Sequence, residues 1–204
     1  ATHIGGQTIH SWSGVGIKEE ITKGNLVLLE KNQPLAKRLK KTEVLIIDEI
    51  SMLSGKVLKG VSDILKFFKN DVRPFGGIQV ILSGDFFQLP PVYKYQVAPR
   101  DKFAFMSPIW VESDLQICYL TQQYRQKETQ LSQVLSAVRK RQVDTNITSM
   151  LERSTTELNE EFPVKLYTHN VDVDIINQKM LISLSGKSKK YEADTKGKKN
   201  LIDN

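Results

Sequence analysis

The 204-residue chain is 40% hydrophobic and 25% charged, with a net charge of +6 and an isoelectric point near 9.3. This is ordinary globular composition, and no apolar run approaches the roughly 20 residues a membrane span requires. A single cysteine, Cys118, excludes a disulfide framework and a cysteine metal site, and three scattered histidines make no zinc set.

Residues 1–16 lack the basic-then-apolar layout of a secretory signal, so an intracellular, reducing setting is expected. The segment 8–16 is rich in polar and small residues, and Ile17 to Leu39 reads as an irregular helix broken at Gly24 and Pro34. The cluster Lys37-Arg38-Leu39-Lys40-Lys41 is read as a solvated loop in preference to a dedicated nucleic-acid groove. Val44-Leu45-Ile46-Ile47 is a continuous aliphatic run, the pattern of a strand buried on both faces. After it, Val57, Leu58, Val61, Ile64, Leu65 and Phe68 recur at three- and four-residue spacing and predict one apolar helical face, with Ser54 as its N-cap.

A loop is expected over 71–77, and a second strand over 78–82. Pro90-Pro91 stops regular structure soon afterwards. Strand, helix, strand in that order predicts a parallel α/β sheet. The stretch 93–108 has no period and reads as a linking excursion. From Leu115 a second unit is predicted: a strand over 116–120 with Cys118 in its core, helices over 128–141 and 145–151, a strand over 164–167 and a helix over 171–184. The Lys-rich end, 187–199, reads as a frayed tail. Met52 and Met106 read as core filler.

The chemistry gathers where the two strands end. Asp48-Glu49 closes the first and Gly84-Asp85-Phe86-Phe87-Gln88 follows the second. In a parallel α/β sheet, the carboxyl ends of strands are where a nucleotide's phosphates lie. One carboxylate of Asp48-Glu49 can hold Mg²⁺ while its neighbour orients or deprotonates the attacking water, the form of a Walker B element. Gln88 offers an uncharged amide that can touch a terminal phosphate. An Asp-Glu pair after a strand is weak by itself, because helices and loops often begin with acidic residues.

The longer strings are more specific. Residues 45–53 (Leu-Ile-Ile-Asp-Glu-Ile-Ser-Met-Leu) and 75–92 (Phe-Gly-Gly-Ile-Gln-Val-Ile-Leu-Ser-Gly-Asp-Phe-Phe-Gln-Leu-Pro-Pro-Val) resemble motifs II and III of the Pif-type DNA helicases, superfamily 1B motors related to RecD. Residues 4–16 resemble motif Ia of that family, and 120–126 (Leu-Thr-Gln-Gln-Tyr-Arg-Gln) resemble motif IV. The four stand in the family's order. The Phe-Phe-Gln-Leu-Pro-Pro string points to the Pif type over a RecD-type or relaxase-linked motor.

The resemblance implies an α/β, RecA-like P-loop NTPase with a parallel sheet. It divides the chain into an incomplete first motor domain over 1–110, the start of a second RecA-like domain over 111–186, and a flexible Lys-rich end over 187–204. It implies ATP and Mg²⁺ as cofactors, with Asp48 coordinating the ion and Glu49 acting on the lytic water. Gln88 would sense the γ-phosphate, and Arg125 would serve as an arginine finger. Thr8, His10, Ser11 and Trp12 match the family's single-strand contact. Helix capping by Thr8 and Ser11 and core packing of Trp12 are the plainer alternatives. Phe86 and Phe87 read as packing residues, and Asp85 as a residue that fixes its loop.

The resemblance further implies 5′-to-3′ translocation on single-stranded DNA and unwinding at single-strand/duplex junctions, in DNA repair, recombination and telomere or genome maintenance. The expected protein is a monomer, without membrane association, in the nucleus or mitochondrion if eukaryotic. The sequence departs from the family pattern in carrying no Gly-x-x-x-x-Gly-Lys-Ser/Thr loop and no motifs V and VI. It is therefore expected to be a piece cut just after its first phosphate loop. The alternative is a catalytically dead remnant that at most binds single-stranded DNA.

Overall fold

The two aliphatic runs form adjacent strands, β1 (Val44–Ile47) and β2 (Gln79–Leu82). They pair in parallel with Val44 opposite Gln79 and Ile47 opposite Leu82. The computed structural model describes residues 5–18, 20–93, 98, 102–122, 124, 129–154, 164, 166–167, 169–186, 189 and 191. Ahead of β1 come α1 (Ile9–Ser13), α2 (Lys23–Glu30) and α3 (Gln33–Lys41), and α4 (Gly55–Lys69) makes the crossover between the strands. Beyond β2 lie α5 (Pro108–Glu112), α6 (Thr129–Lys140), α7 (Thr145–Arg153) and α8 (Asn170–Ser183). No described helix is long and apolar enough to cross a membrane.

The crossover helix is the centre of the core. Leu58, Val61, Ile64 and Leu65 are wholly buried and Phe68 nearly so, each contributing about 2 kcal/mol relative to exposure. The Ser54 hydroxyl accepts the Val57 N–H at 3.2 Å, the predicted N-cap, and Asn70 ends the helix in the left-handed conformation. The return to β2 is a tight turn over Pro74–Gly77. Phe75 is buried there at φ 53°, and its N–H donates to the buried Ser62 hydroxyl at 2.9 Å. Gly76 belongs at the next position: it has φ 66°, and a Cβ would lie 2.6 Å from the Leu65 carbonyl oxygen.

Several expectations are corrected. β1 is buried on one face only: Leu45 and Ile47 face the core, whereas Val44 and Ile46 are 47% and 65% exposed. Among the described residues the sheet has two strands, and its helices leave the Val44/Ile46 face uncovered. The expected strand over 116–120 has no partner strand among the described residues. It runs as irregular chain, with Cys118 exposed rather than in a core. The described positions of 164–167 likewise form no strand.

Before β1, Gly24 and Pro34 do not break a helix. They sit in the first turns of α2 and α3, where proline's missing N–H costs nothing. The cluster 37–41 is the last turns of α3, not a loop: Leu39 is fully buried, while Lys37, Lys40 and Lys41 are exposed near the negative helix end. The 93–108 excursion ends in core structure. Ala104 and Ile109 are buried, and Phe86 meets Phe105 and Trp110 edge-on at 4.8 and 5.8 Å. Met52 and Met106 lie 49% and 41% exposed and fill no core.

The chain divides into two compact units, Ala1–Ile147 and Thr148–Asn204. In the first, α6 and the start of α7 lie close to their predicted spans, and Asp144 caps α7 by accepting the Ile147 N–H at 2.8 Å. In the second, α8 lies close to the expected helix over 171–184, and none of its residues is fully buried. Most of the Lys-rich end lies outside the described residues.

Candidate functional site

A single backbone unit sets the geometry at the end of β1. Ser83, the first residue after β2, donates its N–H to the Ile47 carbonyl and accepts the Ile50 N–H, both at 2.9 Å. Asp48 and Glu49 are therefore held out of the ladder between two fixed points, and both are exposed. The Asp48 carboxylate accepts the Glu49 N–H at 3.0 Å. Glu49 sits in the left-handed region at φ 56°, ψ 43°, which costs a non-glycine residue about 1–2 kcal/mol. Such strain persists where its surroundings over-determine it, and it concentrates at functional sites.

The next strand ends in a second fixed turn. Gly84 passes so close to the first strand's exit that a Cβ there would lie 2.9 Å from the Ile50 nitrogen. Asp85 then organises the loop, in line with its sequence reading. One of its carboxylate oxygens accepts the Phe87 N–H at 3.0 Å, the other accepts the Gln88 side-chain amide at 3.2 Å, and its carbonyl accepts the Gln88 N–H at 3.0 Å. The Arg139 guanidinium from α6 grips the same carboxylate with both terminal nitrogens, one of them at 3.0 Å. That guanidinium, helped by the Phe87 N–H and the Gln88 amide, holds the Asp85 carboxyl well below its usual range, at about 2.

Phe86 packs inward as expected. Phe87 does not: its ring is 80% exposed and lies beneath the Arg139 guanidinium, 5.3 Å from the centroid. Asp48, Glu49 and Gln88 thus share the carboxyl edge of two paired strands. The remaining proposed residues lie elsewhere. Thr8, His10, Ser11 and Trp12 belong to the α1 turn, where the Thr8 hydroxyl accepts the Ser11 N–H at 3.3 Å as a helix cap. Trp12 is half-buried against the core, and its carbonyl accepts from Arg38 at 2.7 Å; His10 and Ser11 are exposed. Arg125 lies outside the described residues.

No group of three or more metal-ligating side chains occurs among the described residues. Mg²⁺ does not need one: it is commonly held by one or two carboxylates, waters and substrate phosphates. Asp48, exposed at a strand end, fits that role. The residue that sequence reasoning misses is Arg139. It lies in Val138-Arg139-Lys140-Arg141, at the end of the helix predicted over 128–141, and nothing local marks its partner 54 positions away.

A family model described as PIF1-like helicase matches residues 1–155. The chain is 43% identical to the ATP-dependent DNA helicase Pif1 of Psychrobacter sp. (strain PRwf-1), over all of this chain and 32% of that protein. It is 34% identical to the ATP-dependent DNA helicase RRM3 of Saccharomyces cerevisiae, over 95% of this chain and 27% of that protein. Among solved structures it is similar to the Pif1 helicase from Bacteroides in complex with ADP-AlF3 and ssDNA. The TM-score is 0.78 at 30% identity, covering 92% of this chain and 46% of that one. The chain thus spans between about a quarter and a third of the length of the curated relatives it matches.

Proposed function

Since the chain belongs to the PIF1-like helicase family, we propose that it is part of an ATP-dependent DNA helicase that moves 5′-to-3′ on single-stranded DNA and opens single-strand/duplex junctions. The observation that carries this reading is the shared edge of β1 and β2. Asp48-Glu49 and the Asp85–Gln88 turn leave adjacent parallel strands, tied together through Ser83.

Asp48 would hold Mg²⁺, which when bound would neutralise charge on the phosphates. Glu49, pushed out of the ladder, orients the attacking water and takes its proton. Gln88 exchanges its bond to Asp85 for one to the terminal phosphate and so distinguishes ATP from its product. Arg125 completes the charge neutralisation from a second RecA-like domain that begins near 111. Thr8, His10, Ser11 and Trp12 contact single-stranded DNA, with His10 and Ser11 available to phosphates. The protein works inside the cell on genomic DNA, in repair, recombination and telomere maintenance, and as a monomer. Light scattering with and without DNA checks its oligomeric state.

The deciding experiment is Glu49→Gln in the full-length protein. Turnover falls by about 10²–10⁴-fold while ATP binding remains, the loss expected of a positioned general base. Near-normal turnover would remove Glu49 as the base. The other reading is a catalytically dead remnant that at most binds single-stranded DNA. It predicts that the unmutated full-length protein has no DNA-stimulated turnover at all.

A further inference from the structure

Four donors converge on the Asp85 carboxylate, and two of them come from a distant element. Phe87 and Gln88 belong to the same turn as Asp85. Arg139 belongs to α6, which begins at Thr129, shortly after Arg125 in sequence. Its fork is bidentate, the arrangement that adds directional precision to charge. The same guanidinium covers the Phe87 ring. Arg139 therefore fastens two residues of the turn that carries Gln88, Asp85 by charge and Phe87 by its face.

We propose that Arg139 is a positioning residue for Gln88: its paired grip on Asp85 and Phe87 fixes the turn and neutralises the carboxylate that Gln88 must leave to reach a phosphate. The inference rests on the reading of Gln88 as the phosphate sensor. Gln88 and Arg139 donate to the same oxygen of Asp85. Without the guanidinium, a bare carboxylate would hold the Gln88 amide more strongly and would repel an incoming phosphate. With Arg139 in place, Asp85 keeps a partner when Gln88 departs, so the exchange leaves no carboxylate unpaired. The link also joins the phosphate-sensing turn to the helix that follows the proposed arginine finger in the chain.

The test is steady-state ATP hydrolysis by the full-length protein at saturating single-stranded DNA, with Gln88→Ala, Arg139→Gln, Arg139→Lys and the double variant Gln88→Ala/Arg139→Gln. The expected result is a drop in kcat on the order of tenfold for Arg139→Gln, at unchanged DNA affinity. Arg139→Lys, which keeps charge without the fork, restores part of it. In the Gln88→Ala background, Arg139→Gln causes no further loss, because both changes act through one side chain. A kcat left intact by Arg139→Gln, or a loss equal in both backgrounds, overturns the proposal. Normal turnover in Gln88→Ala overturns the sensor reading instead, and the single variant alone identifies that failure. If Arg139→Gln melts below the assay temperature, Arg139→Lys with and without Gln88→Ala decides by the same criterion of non-additivity.

Discussion

The N–H of Ile50 donates to the carbonyl of Ser83 at 2.9 Å, across the exits of the two strands. Ser83 also bonds Ile47, so its peptide groups bracket Asp48-Glu49 from both sides. The two acidic side chains owe their exposure to this bracket. An unbroken ladder would instead have carried β1 onward with side chains alternating between core and solvent. The strained backbone at Glu49 follows from the same constraint.

Gly84 makes the bracket possible, and its replacement should loosen it. A Cβ would sit 2.9 Å from the Ile50 nitrogen and 3.0 Å from its Cγ2, and the first neighbour is backbone that cannot rotate away. Gly84→Ala is expected to cost about 1–3 kcal/mol, the usual range for overpacking, and to lower turnover by displacing Asp48 and Glu49. Urea denaturation of the 204-residue chain measures the first effect and ATP hydrolysis by the full-length protein the second. An unchanged denaturation midpoint would mean that the two strand exits separate freely.

The proposed DNA contact allows affinity and stability to be pulled apart. His10 is exposed, so His10→Ala should weaken single-stranded DNA binding by the full-length protein without moving the melting temperature. Thr8→Ala removes the cap of α1 and is expected to cost about 1 kcal/mol as well as affinity. Fluorescence anisotropy with a labelled oligonucleotide reads the affinities, and thermal melts read the stabilities. Wild-type affinity in His10→Ala would remove that side chain from the contact.

The buried hydroxyl of Ser62 gives a purely structural prediction. It accepts the Phe75 N–H at 2.9 Å inside the core, holding a non-glycine residue in the left-handed region. Ser62→Ala strands that N–H without water and should cost about 1–3 kcal/mol in urea denaturation. A cost near zero would mean that the buried Phe75 ring alone secures the turn.

Elements with a local pattern are legible in the sequence. The apolar stripe from Leu58 to Phe68 and the Ser54 cap specify α4, and two aliphatic runs flanking that helix imply a parallel pair. The acidic and amide residues at both strand ends are visible for the same reason. What escapes has no local signature. A run such as Val44–Ile47 says that a strand is apolar, but not which of its faces the rest of the chain covers. Residues 116–120 resemble a strand by composition, yet a strand exists only with a partner to bond. Lys37–Lys41 reads as loop because charge hides the single buried Leu39. Arg139 escapes because its role arises entirely from a meeting with Asp85 across 54 residues.

That meeting should leave a mark on acid stability. The Asp85 carboxyl is lowered from 3.8 to about 2, first by Arg139. A carboxylate favoured in the folded state contributes stability that is fully present above its unfolded value, near pH 4. The contribution is lost as pH falls through the folded value, near 2. Asp71 is lowered to about 2 by its hydrogen bonds with Arg73, so two carboxylates titrate in one window. Urea midpoints of the 204-residue chain between pH 5 and pH 2, compared among wild type, Asp85→Asn and Asp71→Asn, separate them. Asp85→Asn should be less stable than wild type at pH 5, with the gap closing toward pH 2. Arg139→Gln should flatten the profile in the same way, since it removes the leading cause of the shift, whereas Asp71→Asn should leave the Asp85 contribution in place. A gap between wild type and Asp85→Asn that stays constant down to pH 2 would show that the carboxylate and the guanidinium do not pair in solution.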